Sequence, residues 1–228
     1  MEQDKTFLGT EPIGKLLMKL AVPTVIAQLV NMLYNIIDRV YIGHISGEGS
    51  MALTGVGVCM PLILIIAAFA ALVGSGGSPR ASIYMGKGEH DTAEKILTGC
   101  LSLQIIVSII LTVILLIWNE NLLLMFGASE NTISYATAYM NIYAIGTIFV
   151  QITLGMNTFI TAQGKAITGM MTVLIGAVAN IILDPIFIFG MHMGVRGAAL
   201  ATVFSQIVSV VVIFSMLKKV LHVEKGEK

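Results

Sequence analysis

The sequence has 228 residues, of which 56% are hydrophobic and only 11% are charged. A water-soluble domain carries roughly 25% charged residues to cover its surface, so a cytosolic enzyme, a disordered chain and a nucleic-acid binder are excluded and the bilayer is the expected medium. The 13 Lys and Arg cancel the 13 Asp and Glu, which leaves the distribution of charge between loops as the informative quantity.

Residues 1–15 form a polar N-terminal segment, expected to stay cytoplasmic. The apolar stretch after it is too long for a signal peptide and is followed by no small-residue cleavage site, so no removable leader is expected. Crossing ~30 Å of hydrocarbon takes about 20 mostly apolar residues in a helix. Six stretches qualify: 16–42, 51–73, 96–118, 132–161, 167–189 and 195–217, followed by a charged tail or linker at 218–228. These runs far exceed the alternating ~10-residue strands of a membrane barrel. The expected fold is an all-α polytopic bundle of six transmembrane helices over residues 16–217.

In the first stretch Gln28, Asn31, Asn35 and Asp38 recur at i, i+3, i+7 and i+10, which puts four polar side chains on one helical face. Such a stripe should line a hydrated cavity, while Arg39 points roughly 100° away and should snorkel toward the outer interface. The second stretch runs into Gly74-Ser75-Gly76-Gly77. No Gly-Lys-Ser/Thr follows and no strand precedes, so this run is read as a break at the membrane edge rather than a phosphate loop. Cys59 and Cys100 lie in apolar stretches without CxxC spacing or a His cluster, which points to packing.

Tyr135, Tyr139 and Tyr143 run down one side of the fourth stretch as core aromatics, with Tyr139 able to reach a carboxylate. In the fifth, Asn180 and Asp184 share a face, and Pro185 removes a backbone donor beside the carboxylate. The sixth carries a small-residue stripe, Gly194, Gly197, Ala198, Ala201 and Ser205, suited to close helix approach, and a polar pair, Thr202 and Gln206. His44, His90, His192 and His222 fall in loops or near an end and read as solvated.

With these spans, 11 of the 13 Lys and Arg fall on the side of the N-terminus: Lys5, Lys15, Lys19, Arg80, Lys87, Lys95, Lys165, Lys218, Lys219, Lys225 and Lys228; Arg39 and Arg196 fall on the other. The positive-inside rule makes both termini cytoplasmic, in agreement with an even number of spans.

Two acidic residues, Asp38 and Asp184, lie within the apolar spans. An ionisable group there costs at least ~2.5–3.5 kcal/mol and normally faces a bundle interior with a task. Counted along the helices, Asp38 lies roughly 8 Å inside Gly43, Asp184 roughly 9 Å inside Gly190 and Thr202 roughly 12 Å inside Gly194. Three helices thus bring oxygen ligands to one depth. Two carboxylates with the Asn180 amide and the Thr202 hydroxyl make a hard-oxygen site for Na⁺ or for a proton shared between carboxylates. The competing reading is that these groups only hydrogen-bond one another to fix helix register.

The segments LYNIIDRVYIGHI (33–45), NIILDPIFIFG (180–190) and GVRGAALATVFSQ (194–206), with Pro23 in the first helix, resemble the multidrug and toxic compound extrusion (MATE) transporters, and the likeness runs over almost the whole chain. The resemblance implies a secondary antiporter of the cell membrane that exports organic, often cationic compounds in exchange for Na⁺ or H⁺, with no cofactor. It also implies one lobe of a twelve-helix transporter, with the substrate cavity between two lobes related by a pseudo-two-fold axis. Carried over residue by residue, the cation site falls on Asp38, Asn180, Asp184 and Thr202, with Tyr139 and Asn35 as neighbours. Gln28, Asn31 and Gln206 then become cavity residues and Pro23 and Pro185 helix hinges. The partners implied are lipid, small organic substrates and a second six-helix lobe, in a longer chain or a paired half; a partial chain is the expected case.

Two rival functions are open on sequence. A lipid-linked oligosaccharide flippase of related architecture would hold pyrophosphate with cationic side chains, and no span here has a central Lys or Arg. An intramembrane aspartyl protease would need a Gly-x-Gly-Asp segment, whereas Ile182-Leu183 precede Asp184.

Overall fold

The computed structural model describes residues 11–225. The first ten residues, with Lys5, lie outside the described residues, as do Lys228 and the side chains of Lys218, Lys219, His222 and Lys225. Every element described is helical: α1 (Ile13–Gly43), α2 (Gly49–Gly86), α3 (His90–Met125), α4 (Ile133–Ala162), α5 (Ala166–Pro185) continued by a π turn (Ile186–Gly190), and α6 (Val195–Lys225). Among the described residues, six helices are long and apolar enough to cross a membrane. Helices satisfy their own backbone hydrogen bonds, which hydrocarbon demands because it offers no water to do so.

Short connections make neighbouring helices run in opposite directions. The links at 44–48, 126–132 and 191–194 lie at one end of the bundle, termed distal; those at 87–89 and 163–165 share the proximal end with the start of α1 and the end of α6. α4 is the central post, packed against α2, α3 and α6, and is the most thoroughly buried span. α1 stands at the margin. It lies along α5, touches α2 lightly and barely meets α6, and of its residues only Pro23, Asp38 and Ile42 are buried. One apolar cluster, including Ile42, Cys59, Ile66, Leu115, Tyr139 and Met140, fills the distal half; a second, around Ala81, Met156, Phe159 and Ile213, fills the other.

Three helices outrun the spans read from hydropathy. α2 passes straight through the glycine run, which is therefore not a break at the membrane edge. A Cβ at Gly74 would lie 3.0 Å from the Gly155 carbonyl oxygen, and one at Gly77 would lie 2.8 Å from Phe159 Cζ. These glycines let α2 close on α4, the use small residues find between membrane helices. Similarly, α3 continues to Met125 across a kink at Trp118 (φ −108°, ψ 18°), and α6 remains helical to Lys225 through the expected tail.

Both cysteines are free, and Cys59 is buried with Sγ 3.4 Å from the Ala136 carbonyl oxygen, in keeping with packing. Two buried amides not singled out by hydropathy join the helices of the core. Gln151 Nε2 donates to the Ile66 carbonyl at 2.8 Å, fixing α4 to α2, and Gln104 of α3 lies over Gly155.

Candidate functional site

Asp38 and Asp184 meet because α1 lies along α5. Asp38 is 8% exposed and Asp184 is fully buried, and the two carboxyl groups lie close enough to act on each other electrostatically. Asn180, one turn before Asp184, donates from Nδ2 to Asp184 Oδ1 at 3.4 Å. Three acceptors of this cluster, Asp38 Oδ1, Asp184 Oδ2 and Asn180 Oδ1, are buried without a donor among the described residues. A buried acceptor left unmatched costs about 1–3 kcal/mol, and more when charged. Such a concentration of orphaned oxygens is what a cation or a proton would satisfy.

Thr202 joins through Tyr139. The Thr202 side chain acts on the Tyr139 hydroxyl, and Tyr139 lies in the electrostatic field of Asp38. Tyr139 in turn stacks on Tyr143 with ring centroids 6.0 Å apart and planes at 17°. A further tyrosine closes the group. Tyr34 on α1 feels both Asp38 and Asp184 and neighbours Tyr143. Sequence reading passed over Tyr34, although its place four residues before Asp38 puts it on the same helical face.

The local backbone explains why Asp184 sits where it does. Pro185 has no amide hydrogen to continue the α-helical ladder, and the chain beyond it widens into the π turn, where the Met191 amide donates to the Ile186 carbonyl at 2.8 Å. π turns within helices are frequent at functional sites. Gly197 makes this one possible. A Cβ there would lie 2.7 Å from the Phe187 carbonyl carbon and 2.8 Å from the Ile188 nitrogen, so α6 packs on the turn backbone to backbone. Pro23 is buried in the proximal part of an α1 that stays helical through it.

The polar stripe of α1 divides in two. Asp38 turns into the lobe, whereas Gln28 and Asn35 are exposed and Asn31 is half-buried along an edge that no other helix covers. Asn35 Nδ2 donates to the Asn31 carbonyl at 2.7 Å. Gln206 is half-buried on α6, and its backbone carbonyl accepts from Thr153 of α4; it is not part of the α1 edge. Arg39 Nη2 donates sideways to Met60 Sδ on α2 at 3.1 Å and makes no hydrogen bond to Asp38. No group of three or more His, Cys, Asp and Glu able to hold a metal is found among the described residues, so any cation here would be held by the mixed oxygen set alone.

The sequence model of the MatE family matches residues 23–186. The chain is 29% identical over 210 residues to "Multidrug export protein MepA" of Staphylococcus haemolyticus, covering 92% of this chain and 46% of that protein. It is 28% identical over 211 residues to an "FAD transporter" of Shewanella oneidensis, covering 91% and 46%. Among solved structures it resembles an "outward-facing conformation of a multidrug resistance MATE family transporter" with a TM-score of 0.86 at 28% identity, covering 95% of this chain and 47% of that one. A MATE protein "in the bent conformation" gives 0.84, also at 28% identity, over 93% and 47%. The chain thus spans about half the length of the curated relatives it matches, in agreement with one lobe of such a transporter. Members of the family are transporters and not enzymes, which sets aside the intramembrane protease. With its six membrane-spanning helices, its buried acidic pair and these matches, the chain belongs to the MatE family of multidrug and toxic compound extrusion transporters.

Proposed function

We propose that this chain is the ion-coupling lobe of a secondary antiporter that exports organic, often cationic compounds across the cell membrane in exchange for Na⁺ or H⁺. Asp38, Asn180, Asp184 and Thr202 take the coupling ion, with Tyr139 and Asn35 as neighbours, and the exposed edge of α1 at Gln28 and Asn31, with Gln206 of α6, faces the substrate. The proximal end is cytoplasmic and residues 16–217 act as one lobe, paired with a second six-helix lobe. The observation that carries this reading is the set of orphaned oxygens on Asp38, Asp184 and Asn180. Either Na⁺ or a proton neutralises the buried charge, and a ligand couples to conformation only in so far as it binds one conformation better. Pro23 and Pro185 mark where α1 and α5 would bend.

The purified chain in lipid nanodiscs provides the test. Titration with Na⁺ at fixed pH, and proton uptake after an acid pulse in its absence, should reveal binding by one route or the other. A ligand at 100 times its dissociation constant adds about 2.7 kcal/mol of stability, readable as a thermal shift. Asp184→Asn should weaken the response by roughly 100-fold, the loss of one to two charge-assisted hydrogen bonds. A variant that binds like the wild type overturns the proposal.

A further inference from the structure

The distal end holds a cavity of about 600 Å³ between the α1–α2 connection, the start of α4, the π turn and the start of α6. That is room for many water molecules. On three helices its lining residues are close neighbours in sequence of the site residues. Ala138 directly precedes Tyr139, Ile188 lies one turn beyond Asp184, and Val195 lies two turns before Thr202. Its wall carries one carboxylate, Glu48, which acts on the Tyr135 hydroxyl, one guanidinium, Arg196, and the imidazole of His192. With the imidazole neutral the carboxylate and guanidinium balance, so the cavity neither repels cations nor traps them.

Its floor is apolar. Ile188 and Val195 are 3% and 6% exposed and pack with Tyr139 in one cluster. Ile188 belongs to the π turn, the segment in which the α-helical ladder is already interrupted just after Asp184. Gln28, Asn31 and Asn35 do not line this cavity. A small shift of the π turn would therefore open the acidic pair to distal water without involving the exposed edge of α1.

We propose that this cavity is an aqueous port through which a small hydrated cation, Na⁺ or hydronium, reaches Asp38 and Asp184 from the distal side, separate from the substrate's path, with Ile188 on the π turn as its floor. The proposal rests on the reading of that pair as the coupling site, but concerns only the route to it. Asp184→Asn reports on the pair whatever the route, so the two ideas fail separately.

Hydroxyl-radical footprinting of the chain in nanodiscs measures the route, because radicals from water modify only side chains that water reaches. Tyr139 should be modified in the wild type. Ala138→Phe, which fills the cavity, should lower its yield roughly ten-fold, the effect of a ~1.4 kcal/mol change in access. Ala138→Ser and the proximal control Tyr84 should show no change. An unmodified wild-type Tyr139, or a yield indifferent to Ala138→Phe, overturns the port. If Ala138→Phe fails to fold, Ser134→Cys capped with a bulky maleimide after reconstitution blocks the same cavity, and an undiminished Tyr139 yield there overturns it equally. Saturating Na⁺ at fixed pH, or lowered pH without Na⁺, should reduce the Tyr139 yield, whichever names the ion; no reduction under either condition counts against the port.

Discussion

A carboxylate on α1 and another on α5, 146 positions apart by subtraction of their residue numbers, share a site because every alternative partner in hydrocarbon is worse. That need made Asp38 and Asp184 conspicuous in the sequence, and Asn180 followed from its place one turn before Asp184. Tyr34 carried no such signal. A tyrosine among apolar residues reads as packing until a carboxylate is known to face it, and the only hint was its four-residue spacing from Asp38. Its hydroxyl lies in the field of both carboxylates, so Tyr34→Phe should weaken ion binding about five-fold, a change of ~1 kcal/mol, and should leave the thermal midpoint without ion nearly unchanged. Equal affinities for the two proteins would place Tyr34 outside the site.

Helices were legible where apolar runs were long, and their ends were not, for a specific reason. Gly74 and Gly77 look like breakers to a reader who weighs intrinsic propensity alone, yet within a bilayer the backbone has no water to turn to, and the missing side chains admit a neighbouring helix instead. Gly74→Val should force α2 from α4 and cost about 1–3 kcal/mol in overpacking, seen as a lower thermal midpoint in detergent. Gly76→Val, where a Cβ meets nothing within 4 Å, should be tolerated. If the two behave alike, the close approach is not what holds α2 helical. The π turn after Pro185 was equally hidden. Proline announced a disturbed ladder, but only contact with Gly197 on another helix decides that the chain widens instead of breaking.

For the molecule as a whole, the six spans and their up-and-down order follow from hydropathy, whereas the marginal position of α1 could not have been read, because each of its faces is as apolar or polar as those of a buried helix. The proposed orientation has a direct check. With Cys100 replaced by Ser, a cysteine at Glu130 in the distal 126–132 link should react with a membrane-impermeant thiol reagent added to whole cells, and one at Lys87 should not; the reverse pattern would invert the topology. The position of α1 has a mechanical meaning as well. A helix that leans on a single neighbour moves by breaking a single contact line, and the acidic pair lies on that line. On the proposed reading, two charged carboxylates would push the line apart, and an ion or proton between them would draw it shut. Occupancy of one small site would in this way become the holding force on an entire helix, much as a latch holds a door along one jamb.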